Sequence, residues 1–90
     1  MFVITKDRLD GDCVGVIGPS SATLTAEQIR NHPERQRFRM RDGDDEVYYY
    51  GFFVPDQFSQ DEFEPLDCFG KPAAGCIDIQ YKVDGKWKSL

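Results

Sequence analysis

Four arginines stand at alternate positions, Arg35, Arg37, Arg39 and Arg41, with Phe38 and Met40 between the last three. Asp42-Gly43-Asp44-Asp45-Glu46 follows, and then the run Val47-Tyr48-Tyr49-Tyr50-Gly51-Phe52-Phe53. Successive strand residues point to opposite faces of a sheet, so this pattern predicts a β-hairpin with one apolar and one polar face. A two-residue turn at Gly43-Asp44 sets Arg41 opposite Glu46, Met40 opposite Val47, Arg39 opposite Tyr48, Phe38 opposite Tyr49 and Arg37 opposite Tyr50. A turn at Asp42-Gly43 slides the pairing by two and keeps every side chain on its face, whereas a three-residue turn flips one strand. The expected core side is Phe38, Met40, Val47 and Tyr49. The expected polar side is Arg37, Arg39 and Arg41 with Glu46, Tyr48 and Tyr50.

The rest of the chain reads as short elements around this hairpin. Phe2-Val3-Ile4-Thr5 is rich in strand formers, and Cys13 to Ile17 reads as a second strand ended by Gly18-Pro19. Thr25 with Gln28 three residues later forms a capping box, and Leu24 and Ile29 occupy the positions of a hydrophobic staple. The predicted helix runs over Ala26–Asn31 and stops before Pro33. A last hairpin joins Cys76–Tyr81 to Lys86-Trp87-Lys88. A three-residue Val83-Asp84-Gly85 loop sets Tyr81 against Trp87, and Ile77, Ile79, Tyr81 and Trp87 then share the core face. Residues 55–75 hold three prolines and no clean period, which predicts a long loop with short helical turns, one of them Ser59 to Phe63 ended by Pro65. The expected fold is one α+β domain over residues 1–90: a twisted, mostly antiparallel sheet of five or six strands, one short helix, and a long loop covering an edge or end.

Charge is segregated along the chain, whose formal net charge is −5. Residues 1–41 carry seven Lys and Arg against five Asp and Glu, residues 42–70 carry nine acids and no Lys or Arg, and residues 71–90 carry four lysines against two acids. Acids of the middle segment alternate with Phe58, Phe63, Leu66 and Phe69, so this is a folded loop with apolar anchors. No apolar run is long enough for a membrane span, and the first residues lack a leader pattern; the cytoplasm is the expected location. Three cysteines, Cys13, Cys68 and Cys76, cannot all pair within one chain, and reduced structural thiols are expected.

Catalytic and metal chemistry find little footing in this sequence. The spacing of Cys68 and Cys76 is not that of a zinc site, and His32 is the one histidine. Asp42–Glu46 is shorter than a calcium loop, and the Gly15–Ser21 stretch lacks the lysine of a phosphate loop. No enzyme activity, metal or cofactor is expected.

Two stretches, Phe38-Arg39-Met40-x-Asp42-x-Asp44-Asp45-Glu46-x-Tyr48-Tyr49 and Pro65-Leu66-Asp67-x-Phe69-Gly70-x-Pro72-x-Ala74-Gly75-Cys76-Ile77, resemble a set of small acidic bacterial and phage-borne proteins without known activity. The resemblance runs from the central hairpin to the last strands. It implies a shared fold and carries over no catalytic residue.

The expected function is therefore protein binding. In its concrete form, a phage- or mobile-element-borne inhibitor presents Asp56, Asp61, Glu62, Glu64 and Asp67 to a basic surface on a nucleic-acid-binding or defence enzyme. The alternative is single-stranded nucleic-acid binding through Arg37, Arg39, Arg41, Tyr48 and Tyr50, with a small enzyme as the third class. A basic protein is the expected partner ahead of nucleic acid, no membrane is involved, and the chain is expected as a monomer or homodimer.

Overall fold

The computed structural model describes residues 1–55 and 61–90. Its strands are β1 (Phe2–Asp7), β2 (Ile17–Gly18), β3 (Gln36–Arg41), β4 (Val47–Phe53), β5 (Asp78–Val83) and β6 (Lys86–Ser89). They form one antiparallel sheet in the order β2-β1-β4-β3-β5-β6. Helix α1 (Ala26–Arg30) and a second segment, a π-helical turn over Leu66–Gly70 continued by α2 (Lys71–Ala74), lie against it. The fold is a small α+β sheet protein. Among the described residues no helix is long and apolar enough to cross a membrane.

The alternating pattern of β3 organises the core. Phe38 and Met40 are fully buried with Phe2, Ile4, Tyr49, Phe53, Leu66, Cys76, Ile79 and Tyr81 in one cluster, which the Leu66–Ala74 segment caps. Gly70 allows that segment to come close, since a Cβ there would lie 2.6 Å from the Met40 sulfur. The Tyr81 hydroxyl donates to the Glu62 carbonyl at 2.7 Å and ties the start of the segment across the cluster. On the opposite face α1 closes a smaller cluster of Met1, Val3, Ile29 and Val54, flanked by Leu24. Thr25 caps α1 as the sequence predicts: its hydroxyl accepts from the Gln28 N–H at 3.2 Å, and the Gln28 side chain accepts from the Thr25 N–H at 2.8 Å.

The central turn departs from expectation in an instructive way. Asp42 closes the hairpin against Glu46, its N–H donating to the Glu46 carbonyl, and Asp45 adopts a left-handed φ of 63°. This is a three-residue loop, which alone would turn the apolar residues of β4 outward. A bulge at Tyr48 restores the parity: Arg41 pairs with Val47, but Met40 pairs with Tyr49, Arg39 with Tyr50 and Phe38 with Gly51. Val47 therefore lies on the arginine side, and Tyr48 packs against the main core cluster. Arg41 finds its carboxylates in Asp78 at 2.8 Å and Asp45 at 3.4 Å, not in Glu46.

Three further expectations are corrected. Cys13 to Ile17 is a regular strand only at Ile17–Gly18, because the Cys13 N–H goes to the Asp7 carboxylate and Gly15 turns at a φ of 92°. The last hairpin uses the two-residue Asp84-Gly85 turn, both residues left-handed at 53° and 79°, so Lys82 pairs with Trp87 and Tyr81 with Lys88. Such a turn matches the twist of the strands it joins, and that backbone preference prevails over a Tyr81–Trp87 pairing. Trp87 accordingly leaves the core face, while Ile77 is 66% exposed just before β5. Residues 61–75 are largely helical, and Pro65 lies inside the helical path with a φ of −61° instead of ending it. The expected turn beginning at Ser59 falls partly outside the described residues, but Asp61 opens a turn by accepting from the Phe63 N–H at 2.9 Å.

Two predictions follow from these contacts. At the centre of β4 a Cβ on Gly51 would overlap the Val3 carbonyl and the Phe38 ring. Gly51→Ala should cost about 1–3 kcal/mol, the usual penalty of overpacking, read as a lower urea midpoint; an unchanged midpoint would refute the packing. At the other end Asp7 accepts the N–H groups of Leu9 at 2.9 Å and Cys13 at 3.1 Å. Partial burial pushes this carboxyl up, but those bonds outweigh it and hold the pKa down at about 2. A carboxylate depressed in the folded state stabilises it above the unfolded pKa of about 3.9 and loses that effect as pH falls through the folded value. Wild type should thus exceed Asp7→Asn in melting temperature at neutral pH, with the gap closing between about pH 4 and pH 2.

Candidate functional site

Helix α1 lies over β1 and the adjoining end of β4, where Phe52 packs against its cluster, and makes no comparable contact with the rest of that face, on β3, β5 or β6, among the described residues. Alternation along these strands decides which side chains stand there. One row runs Lys6, Tyr50, Arg39, Gln80 and Ser89 across β1, β4, β3, β5 and β6. In the next row Arg37 lies opposite Phe52 and Lys82 opposite Trp87, one step beyond the Phe38–Tyr81 pair.

Cations and rings alternate within these rows. The Arg35 and Arg37 guanidinium carbons lie 5.5 and 5.8 Å from the centre of the Phe52 ring. Lys6 Nζ lies 5.7 Å from Tyr50. Arg39 lies 4.6 Å and Lys82 Nζ 5.6 Å from Trp87, and the Trp87 and Tyr50 rings meet edge to face at 6.1 Å. These separations are within the range of cation–π attraction, which partly offsets the mutual repulsion of the cations. Arg39 is further fixed by a neutral partner: its Nε donates to Gln80 Oε1 at 2.7 Å, and the Gln80 amide donates to Ser89 Oγ at 3.2 Å.

Among the described residues none of Lys6, Arg35, Arg37, Arg39 and Lys82 forms an ion pair; the ion pairs fall on Arg41, Lys71 and the terminal amine. A groove of about 450 Å³ opens among Lys6, Arg37, Tyr50, Phe52, Lys82 and Trp87. A second recess of similar size, lined in part by Phe2, Ile17, Cys68 and Phe69, carries no charged side chain.

The alternative site read from the sequence is thus partly assembled here. Arg37, Arg39 and Tyr50 share the open face. Arg41 is engaged by Asp78 and Asp45 at its end, and the bulge removes Tyr48, whose hydroxyl donates to Asp42 Oδ2 at 2.6 Å. That bond lowers the Asp42 pKa and raises that of Tyr48. Sequence reasoning missed Lys6, Arg35, Phe52, Lys82 and Trp87. The Asp84-Gly85 pair is the signal that places Lys82 and Trp87 together, once its two-residue turn is preferred.

The acidic residues singled out in the sequence have varied settings. Asp61 and Asp67 are exposed, but Asp61 closes its own turn and Asp67 holds Lys71 at 2.9 Å. Glu62 is half-buried, and Glu64 is buried with its carboxylate 3.2 Å from the Met1 amine. Asp56 lies outside the described residues. Glu64 thus faces inward, while Asp44, Asp45 and Glu46 are exposed at the central turn.

Of the three thiols, Cys76 is buried and Cys13 half-buried, whereas Cys68 is exposed, against the expectation of buried structural thiols. Burial raises Cys76 to about 11 and also raises Cys13 and Cys68, the nearby acids Asp7, Glu64 and Asp67 adding to the effect. A thiol so shifted holds little nucleophilic thiolate near neutrality. His32 Nδ1 accepts from the Glu34 N–H at 3.0 Å in its own turn. Among the described residues no three His, Cys, Asp or Glu side chains converge as a metal site. No protein-family model, no curated protein and no solved structure matches this chain.

Proposed function

We propose that this chain is a non-enzymatic binding module whose open sheet face holds single-stranded nucleic acid. The observation that carries the reading is the set Lys6, Arg35, Arg37, Arg39 and Lys82 around Tyr50, Phe52 and Trp87, none of these cations ion-paired among the described residues. Cations alone would serve any polyanion; the interleaved rings favour one whose bases are free to stack. Duplex bases are already stacked on one another, so a single strand suits this face better. The net charge of −5 opposes binding only weakly, because physiological salt screens acids that lie more than about 8 Å from the contact.

The second reading keeps the acidic surface directed at a basic protein, as an inhibitor would use it. What favours it is the exposure of Asp44, Asp45 and Glu46 together with Asp61 and Asp67. It draws less support, because Glu64 is buried and Asp67 is bound to Lys71.

Fluorescence anisotropy with a labelled oligothymidylate, titrated at several salt concentrations, separates the readings. Binding at about 50 mM salt is expected, with log K falling by about 0.7 per log unit of salt for each phosphate contacted. Arg37→Ala combined with Lys82→Ala should make that slope shallower by about 1.4. No binding at about 50 mM salt overturns the proposal. Binding of polyglutamate with none of the oligothymidylate would reassign the face to an acidic protein.

A further inference from the structure

We infer that the groove between Phe52 and Trp87 is a base-stacking subsite, in which one unstacked base of the strand lies against an aromatic ring while Arg37 and Lys82 take the adjoining phosphate. This rests on the nucleic-acid reading above and adds to it a division of labour among the residues of the face. Arg39 and the rings form a braced layer, whereas Arg37 and Lys82 are the exposed charges beside it, each in contact with a ring but in no ion pair among the described residues.

The bracing is visible in the hydrogen bonds. Arg39 is half-buried, its Nε is held by Gln80, and Gln80 is held by Ser89. Its guanidinium lies 4.6 Å from the Trp87 ring, so the indole rests on a cation that cannot swing away. Tyr50 abuts the same indole from β4 at 6.1 Å. Trp87 is thereby fixed on two sides, although it belongs to the edge strand β6, where a side chain would otherwise sample many rotamers. A ring ordered in advance gives stacking without the entropy of ordering it on binding.

Arg37 and Lys82, by contrast, are exposed, and no side-chain hydrogen bond or ion pair among the described residues holds them. Both line the groove beside Phe52 and Trp87, together with Lys6. A volume of about 450 Å³ lies within the range of small-molecule sites, roughly 300–1,000 Å³. Rings on its walls and three cations around it match the two halves of a nucleotide, a planar base and an anionic phosphate. An acidic peptide would satisfy the cations but offer the rings no π-face. The chemistry therefore favours the nucleotide, and Arg39 acts as a positioning residue for Trp87.

Trp87 is the chain's one tryptophan, so its emission reports on the groove directly. The test titrates the wild-type protein with oligothymidylate and with an abasic deoxyribose-phosphate strand of equal length, following Trp87 emission and anisotropy together. The base-bearing strand should quench the emission and bind about tenfold or more tightly than the abasic strand, as one stacked base warrants. Trp87→Leu should remove that advantage and leave the salt slope unchanged. Arg39→Met should keep the slope and reduce the quenching. Melting temperatures of both variants check that they are folded, and the wild-type comparison stands without them. Equal binding of the two strands, or saturation without change in emission, overturns the subsite while the nucleic-acid reading survives. Binding of neither strand overturns both.

Discussion

The packing of Phe38 over Gly51 is the contact on which the rest of the sheet depends. Phe38 and Gly51 are cross-strand partners, and the absent Cβ of Gly51 leaves room for both the Phe38 ring and the backbone of β1 on the other side. β4 can therefore lie between β3 and β1, and Phe2, Ile4, Phe38, Met40, Tyr49 and Phe53 of the three strands meet on one face. Phe38 in turn touches Phe2 at 6.4 Å and Tyr81 at 6.0 Å between ring centres, and so joins β1 and β5 to the same cluster. Once this register is set, alternation places Arg37 and Arg39 outside, and the open face follows as its reverse side.

The same constraint explains the irregularity beside the central turn. A three-residue loop with Asp45 left-handed puts β4 out of phase with β3, which would expose Tyr49 and Phe53 and bury Tyr50 and Phe52. Fully burying large apolar side chains is worth about 1.5–3 kcal/mol each, whereas a bulge loses one ladder position. The bulge at Tyr48 is the smaller cost, and the Tyr48 hydroxyl recovers a bond to Asp42. The electrostatic layout is a by-product of this choice. Arg41, next to the bulge, meets Asp78 and Asp45, while the arginines farther along β3 have rings and amides beside them.

Much of the architecture is legible in local patterns. The capping box at Thr25, the period-two alternation of β3, and the strand-forming residues at the start of the chain each encode their element within a few residues, and each element forms. The α+β class and a mostly antiparallel sheet of five or six strands follow from those elements, and six strands form. The candidate site is less legible because its members come from five strands. Arg37, Arg39 and Tyr50 lie on one predicted hairpin and could be read together. Lys6 arrives from β1 through a bulge at Thr5, and Lys82 and Trp87 arrive from a hairpin whose register depends on one turn. Preferring an aromatic pair on the core face over the backbone twist of an Asp-Gly turn sends Trp87 to the wrong side.

By itself, then, the sequence determines which residues alternate, where the helix begins, and that arginines and aromatics share a strand pair. These are properties of neighbouring residues, fixed by the pleat of a strand and the unsatisfied N–H groups of a helix start. Only the tertiary structure decides that Glu64 turns inward to the terminal amine, that Tyr48 joins the core, and that Trp87, four strands across the sheet from Lys6, rests on Arg39. Those outcomes depend on sheet order and on the competition between loop geometry and burial, and no local pattern encodes either. The open face gathers its cations for the same reason: sheet order brings Lys6, Arg37, Arg39 and Lys82 together from β1, β3 and β5, while Asp44, Asp45 and Glu46 stay at the central turn and Glu62 shares a recess with Arg35, Arg37 and Lys82.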